Sequence, residues 1–488
     1  MALECCKNGA SREQLAHMTD LLIRGGVVIT MDETRRVLDD GAVAIKDGRI
    51  TAVGPTKDVV ARHGDAKQVI EARGRAILPG FIDGHAHAGH GLVKTMGNND
   101  SAGWMEACRV IYTLASPPEF WRAEAKLAAF ERLRFGVTTG VSLLGGGDSI
   151  GRVDHPIFTD VHCESVREVG IRSILVLGPT RPPFPRPYVG PDGTEKPVEF
   201  AQQLETIVAG LETWHGKDGM HIATLMPVYR EAKHDPAKVA QIERQGTAVR
   251  DAGRKHGALF HQDGHRQGSI ELADRMFGLL GPDAWLSHCT DLTDADIDTL
   301  VRTGTSVVHN PSAIAAVRGY CPAPKMMEAG VTVMIGSDAT APDRSGDMFR
   351  HMFQCIRYHQ RHFRDETMIP PGKALEMVTI DAAKGLGMAH EIGSLEVGKL
   401  ADVITVDLSA PHMAPANMPV ARVVYFANGH DVLDVVVGGK VMMRDRATPH
   451  LDATEIATTA WREASAMLER AKLGHMIVED PGWGKTRR

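Results

Sequence analysis

The chain has no run approaching the roughly 20 consecutive apolar residues of a membrane-spanning helix. Its start lacks the basic segment and apolar stretch of a secretory signal. Blocks of one charge are also missing: Lys and Arg are scattered, and the formal net charge is −6 with His neutral. No electrostatic footprint for nucleic acid or an anionic membrane is therefore visible. Aromatic residues amount to only 5%, which permits a small, uncharged or weakly charged substrate. The 7 cysteines are odd in number and irregularly spaced, which argues against a disulfide framework and for a reducing compartment. The expectation is a cytoplasmic protein with a small-molecule substrate and with neither nucleic acid nor membrane as partner.

What is present is core-forming material. Hydrophobic residues make up 43% and charged residues 24% of 488, as in globular proteins, and the length suits a (β/α)₈ barrel plus one smaller domain. Residues 1–18 are polar and patternless and read as a disordered leader. From 19 to 80 the text is strand after strand, in LLIRGGVVIT, GAVAIKDGRITAVG and KQVIEARGRAIL. From 81 to 390 short apolar runs alternate with helical patterns, the writing of a parallel α/β sheet. Candidate barrel strands are 81–85, 136–142, 173–177, 222–226, 259–261, 285–288, 306–309 and 331–336. β character returns over 391–450. The predicted fold is α/β, a (β/α)₈ TIM barrel inserted into a small β-sandwich domain built from 19–80 and 391–450. A C-terminal helix and tail over 451–488 offer a contact for a homodimer or higher homo-oligomer.

The strongest local signal is FIDGHAHAGHG, where His85 and His87 follow an apolar run one residue apart. Side chains at i and i+2 of a strand project the same way and can bind one cation. Two of 23 histidines could also fall at this spacing by chance, and a short motif needs its context. Three further polar residues end later candidate strands: His261 in ALFHQDGH, His288 in AWLSHCTDL and Asp338 in VMIGSDAT. Each alone reads as a satisfied structural group. Their coincidence at the strand ends that converge in such a barrel points to a shared ion.

The segments LPGFIDGHAH, FGVTTG, SHCTDL, VVHNPSA, IGSDA and GSLEVGKLADVITVD, in this order, resemble the amidohydrolase superfamily in its cytosine deaminase-like and triazine hydrolase-like branch. The resemblance covers Leu21 to about Asp445, and within the branch the phenylurea hydrolase and molinate hydrolase group is the expectation. It implies that His85, His87 and His261 are metal ligands, with Asp338 a ligand that also handles the nucleophile's proton. His288 would polarise the substrate's carbonyl or orient the water. One divalent metal per subunit is implied, zinc first, with Fe, Co or Mn suited to the same ligands; bound zinc lowers the pKa of water to about 7. HIATLMPVY carries no lysine where a binuclear relative would hold a carboxylated one, and Lys233 reads as a loop residue, so the predicted site is mononuclear.

One departure bears on the reaction. Deaminases of this branch resemble HxxE at the third ligand, whereas Gly264 stands at that spacing after His261. Losing that acid removes a general-acid contribution of about 10²- to 10⁴-fold for attack on an aza-aromatic carbon. The reading is therefore hydrolysis of a C–N (or C–S) bond in an amide, urea or (thio)carbamate, such as a phenylurea xenobiotic. The alternative is deamination or dechlorination of an aminated N-heterocycle (triazine, purine or pyrimidine), with Asp263 or His265 replacing the glutamate. His309 and Asn310 in SVVHNPSA either touch substrate or make a turn. Trp104, in a loop after the first barrel strand, either lines the pocket or packs. His90 is not expected to be a ligand, and the Pro-rich GPTRPPFPRPYVGPDG is read as a rigid loop.

Overall fold

Strand β1 (Thr19–Ile29) is an apolar run broken by two glycines, and it is followed by β2 (Val37–Lys46), β3 (Arg49–Pro55), β4 (Ala66–Glu71) and β5 (Arg75–Pro79). The computed structural model describes residues 18–96, 101–145, 150–230 and 235–486; the leader at 1–17 and Lys233 lie outside them. Gly25 takes a left-handed φ of +79°, and a Cβ on Gly26 would meet the carbonyl oxygens of Ala72 and Arg75 at 2.8 Å. The register with β2 shifts on both sides of Gly26, so one long strand serves two partners. Its first half pairs with β4 and its second with β5, both parallel.

The chain then enters the barrel through β6 (Phe81–Asp83) and the two-residue β7 (His87–Ala88). Next come β8 (Val137–Leu144), β9 (Arg172–Leu177), β10 (Arg186–Val189), β11 (Glu195–Val198), β12 (Met220–Leu225), β13 (Phe260–Gln262), β14 (Ala284–Ser287), β15 (Ser306–His309) and β16 (Val333–Ile335). Strands β6, β8, β9, β12, β13, β14, β15 and β16 lie in that order in one parallel sheet, the expected (β/α)₈ barrel. The seam between its first and last strands closes through backbone: Gly84 N–H donates to Ile335 O at 3.1 Å and Asp338 N–H to His85 O at 2.8 Å. Alternation along each strand fills the inside with Ile82, Val141, Ile174, Ala223, Trp285, Val308 and Met334. The Pro-rich segment is no plain loop, because β10 and β11 form an antiparallel hairpin within and just after it.

After the barrel, β17 (Val403–Asp407), β18 (Val432–Val437) and β19 (Lys440–Met443) join the N-terminal strands in the order β19-β18-β17-β5-β1-β2-β3, with β4 beside β1. Leu21, Val43, Ile45, Ile77, Val403 and Val436, from both ends of the chain, bury in one cluster. The helix Ala453–Ala471 buries Ile456, Ala460 and Met467. Arg470 of that helix donates to Ala115 O at 2.9 Å. Among the described residues no helix is long and apolar enough to cross a membrane.

Candidate metal centre

Asp83 anchors the floor of the site. It ends β6 fully buried, accepting Ser337 N–H at 2.9 Å and Ser337 O–H at 2.7 Å from beyond β16. Arg132 of the helix Pro118–Arg134 donates to the same carboxylate at 2.9 Å, and to Ser142 Oγ and Val141 O of β8. Strands one, two and eight are thereby locked together directly beneath His85 and Asp338. A Cβ on Gly336 would stand 2.4 Å from Asn310 Oδ1 and 2.9 Å from His85 Cβ, so only glycine allows this approach.

Above that floor six side chains converge. Asp338 Oδ1 lies 3.0 Å from His87 Nε2 and 3.4 Å from His85 Nε2. Asp263 Oδ1 lies 3.4 Å from His85 Nε2 and 3.3 Å from His288 Nε2, and Asp263 Oδ2 is 3.7 Å from His87 Nε2. His261 Nε2 is 3.2 Å from His85 Nδ1. His288 (φ 65°) and Asp338 (φ 50°) hold left-handed backbone without being glycine, a costly conformation that recurs at working sites.

The outer hydrogen bonds decide what these rings present. His87 donates Nδ1–H to Gly145 O at 2.9 Å and His261 donates Nδ1–H to Trp285 O at 2.8 Å. Each Nε2 then carries a lone pair into the cluster, as in metal-binding histidines. Bare nitrogen of His87 thus faces a carboxylate oxygen, and buried His85 Nε2 has no hydrogen-bond partner among the described residues. Acceptors opposed at these distances need a shared positive charge, which a proton on the ring or a metal ion supplies. The donor set therefore fits a divalent cation, with His85, His261 and Asp263 in one ligand-spaced group and His85, His288 and Asp338 in another.

Burial alone would raise both carboxyls. The imidazoles of His85, His288 and His87 hold Asp263 well below the usual carboxylate range, and Arg344 with His85 and His87 does the same for Asp338. His87 is weakened as a base by burial and strengthened more by Asp338 and Asp263, for a net rise. Burial and the neighbouring His85 push His261 well down.

The other expected residues divide. Asn310 reaches the cluster, its amide 3.4 Å from His288 Nδ1, which leaves the Nε2 proton of His288 aimed at Asp263. Trp104 is buried edge-on to His90, with ring centroids 5.5 Å apart, and His90 stacks on His87 at 4.7 Å; Trp104 thus stands one ring behind the cluster. His90 makes its own bond with Tyr112 Oη at 2.8 Å. His265 is turned away, with Nδ1 2.9 Å from Ser269 Oγ and Nε2 3.3 Å from Gln262 Oε1, and burial pushes its basicity down to about 3. His309 also leaves the site: its neighbour Val308 fills the barrel, and strand alternation sends His309 outward against His359 at 5.2 Å. Asp263 stands inside the cluster itself, and Ser287 Oγ donates to it.

Sequence reasoning missed Arg344, which donates from Nη2 to Asp338 Oδ2 at 3.2 Å and from Nε to Asp338 O at 2.8 Å. It also missed Asp83 and Arg132. An aspartate two residues before the HxH was the available signal for Asp83.

Residues 242–442 match the amidohydrolase family model, and 41–66 match an imidazolonepropionase-like composite domain of bacteria. A 5-methylthioadenosine/S-adenosylhomocysteine deaminase of Syntrophobacter fumaroxidans is 30% identical over 452 residues, which span 90% of this chain and 96% of that protein. An adenosine deaminase from Xanthomonas campestris with bound zinc superposes with a TM-score of 0.79 at 24% identity, covering 92% of this chain and 99% of the other. For a zinc complex of atrazine chlorohydrolase from Arthrobacter aurescens the TM-score is 0.75 at 20% identity, with 91% and 100% covered.

Proposed function

From the premise that this chain belongs to the amidohydrolase family, as a metal-dependent hydrolase of carbon–nitrogen bonds, we propose that it deaminates an aminated N-heterocycle of the adenine-nucleoside class. Asp263 carries the reading. The missing HxxE glutamate spoke for urea or carbamate hydrolysis, but a second carboxylate sits within the same cluster as Asp338, one residue earlier than the pattern. The Syntrophobacter fumaroxidans relative, 30% identical over nearly the whole chain, bears a deaminase name.

His85, His87, His261 and Asp338 would hold the cation. When bound, it supplies a Lewis acid that makes water nucleophilic near neutral pH. Asp263 takes one proton of the attacking water and passes it to the ring nitrogen beside the reacting carbon. Asp338, steered by Arg344, takes the second from the newly attached oxygen and passes it to the amino group. The C–N bond breaks, ammonia leaves with that electron pair, and the ring keeps a carbonyl and an N–H. His288, with Nδ1 engaged by Asn310, donates Nε2–H toward the oxygen being added. Two carboxylates thus move two protons.

The test is ammonia release from adenosine, methylthioadenosine, cytosine and aminotriazines, run beside hydrolysis of phenylureas, carbamates and anilides. Ammonia from at least one heterocycle is expected. Turnover of ureas or carbamates with no ammonia from any heterocycle would sink the reading in favour of the acyl-type hydrolase that Gly264 suggests.

A further inference from the structure

We propose that His309, Cys355 and His359 form a second, sulfur-containing site for a thiophilic first-row cation of the zinc class. The residues lie outside the barrel wall, on the far side of β15 from the catalytic cluster. Cys355 and His359 stand four residues apart on one face of the helix Met348–Phe363, and His309 ends β15 opposite them. One ligand atom from each lies within 4.8 Å of the others, and all three side chains are fully buried.

Hydrogen bonding leaves this trio unsatisfied. Nδ1 and Nε2 of His309 and Nε2 of His359 have no partner among the described residues. Buried polar atoms are normally paired. His359 Nδ1 is 3.5 Å from Tyr320 Oη, which orients the ring and leaves Nε2 for the ion, the arrangement found behind metal-binding histidines. No carboxylate joins the group, so a hard, oxygen-seeking ion such as calcium or magnesium is disfavoured. One thiol with two imidazoles suits a softer cation. On binding, the S–H proton of Cys355 leaves to solvent as the sulfur–metal bond forms. The ion would pin the helix Met348–Phe363 to the barrel wall.

The test uses the full-length chain stripped by a chelator and reloaded with Co(II). Sulfur ligation gives a near-ultraviolet thiolate-to-cobalt absorption that an imidazole–carboxylate centre lacks. We expect this band in the wild type, its loss in Cys355→Ala with the visible cobalt bands of the catalytic centre retained, and a fall from two bound ions per chain to one. His359→Gln, a milder change, should weaken the band and lower its apparent cobalt affinity by at least tenfold. A wild type without the near-ultraviolet band, or a band that persists in Cys355→Ala, overturns the assignment. So does an unaltered cobalt titration in His359→Gln.

Discussion

Asp83 and Arg132 form a buried ion pair at 2.9 Å, with side-chain exposures of 0% and 8%, directly under the cluster of histidines and aspartates. Asp83 spends its second oxygen on Ser337, one residue before Asp338.

Asp83→Ala should cost about 3–5 kcal/mol of stability, because it strands the Arg132 guanidinium without its partner. Chemical denaturation of the metal-free and metal-loaded protein measures this. The variant should also release its cation to a chelator faster than wild type, since His85 and Asp338 lose their common support. An unchanged unfolding midpoint would mean that the pair adds nothing net.

Asp263→Asn and Asp338→Asn should each lower kcat by about 10²-fold or more, the scale of a lost proton-transfer group. Metal content by mass spectrometry separates the two. Asp338→Asn should bind metal more weakly, whereas Asp263→Asn should keep its ion.

Arg344→Ala removes a charge-assisted bond to Asp338, an interaction of about 1.5–3 kcal/mol. If that bond matters equally in the transition state, kcat/KM falls by roughly 10- to 100-fold. Arg344→Lys restores the charge but not the two-point grip through Nε and Nη2, so rescue should be partial. Steady-state kinetics of both variants check this.

Acid should destabilise the fold through His162, whose ring nitrogens are buried without partners among the described residues and whose basicity burial, aided by Arg132, pushes down to about 3. The unfolded chain takes up this proton below about pH 6.5 while the folded chain does not. The contribution is therefore complete above that pH and is lost progressively as pH falls toward 3. His162→Phe should flatten the stability profile between pH 6 and 4 by up to about 1.4 kcal/mol per pH unit, one proton's worth. Urea titrations at stepped pH measure the slope.

The barrel was readable because its strands are short apolar runs between helical patterns, and all eight candidate ranges overlap the strands that form it. The HxH was readable because period-two spacing is local. His309, read as a substrate contact or a turn residue, faces away from the cluster by the same rule applied one step further, since an inward Val308 dictates an outward neighbour. Asp263 was weighed only as a stand-in for a lost glutamate; its place among three imidazoles depends on how β13 ends against β14. Arg344, Arg132 and the Cys355–His359 face carry no strand periodicity at all. Their partners come from other elements, which one sequence does not reveal.

The seam between the first and last barrel strands has a consequence for biosynthesis. Asp83 and Ser337 are 254 residues apart, and Asp338 N–H donates to His85 O in one of the backbone bonds that close the ring. While a ribosome is still extending the chain, the early histidines emerge with nothing to close against. The ring cannot close, nor can Asp338 join the early histidines, until the eighth strand has left the ribosome, so the cluster is among the last parts of the fold to assemble.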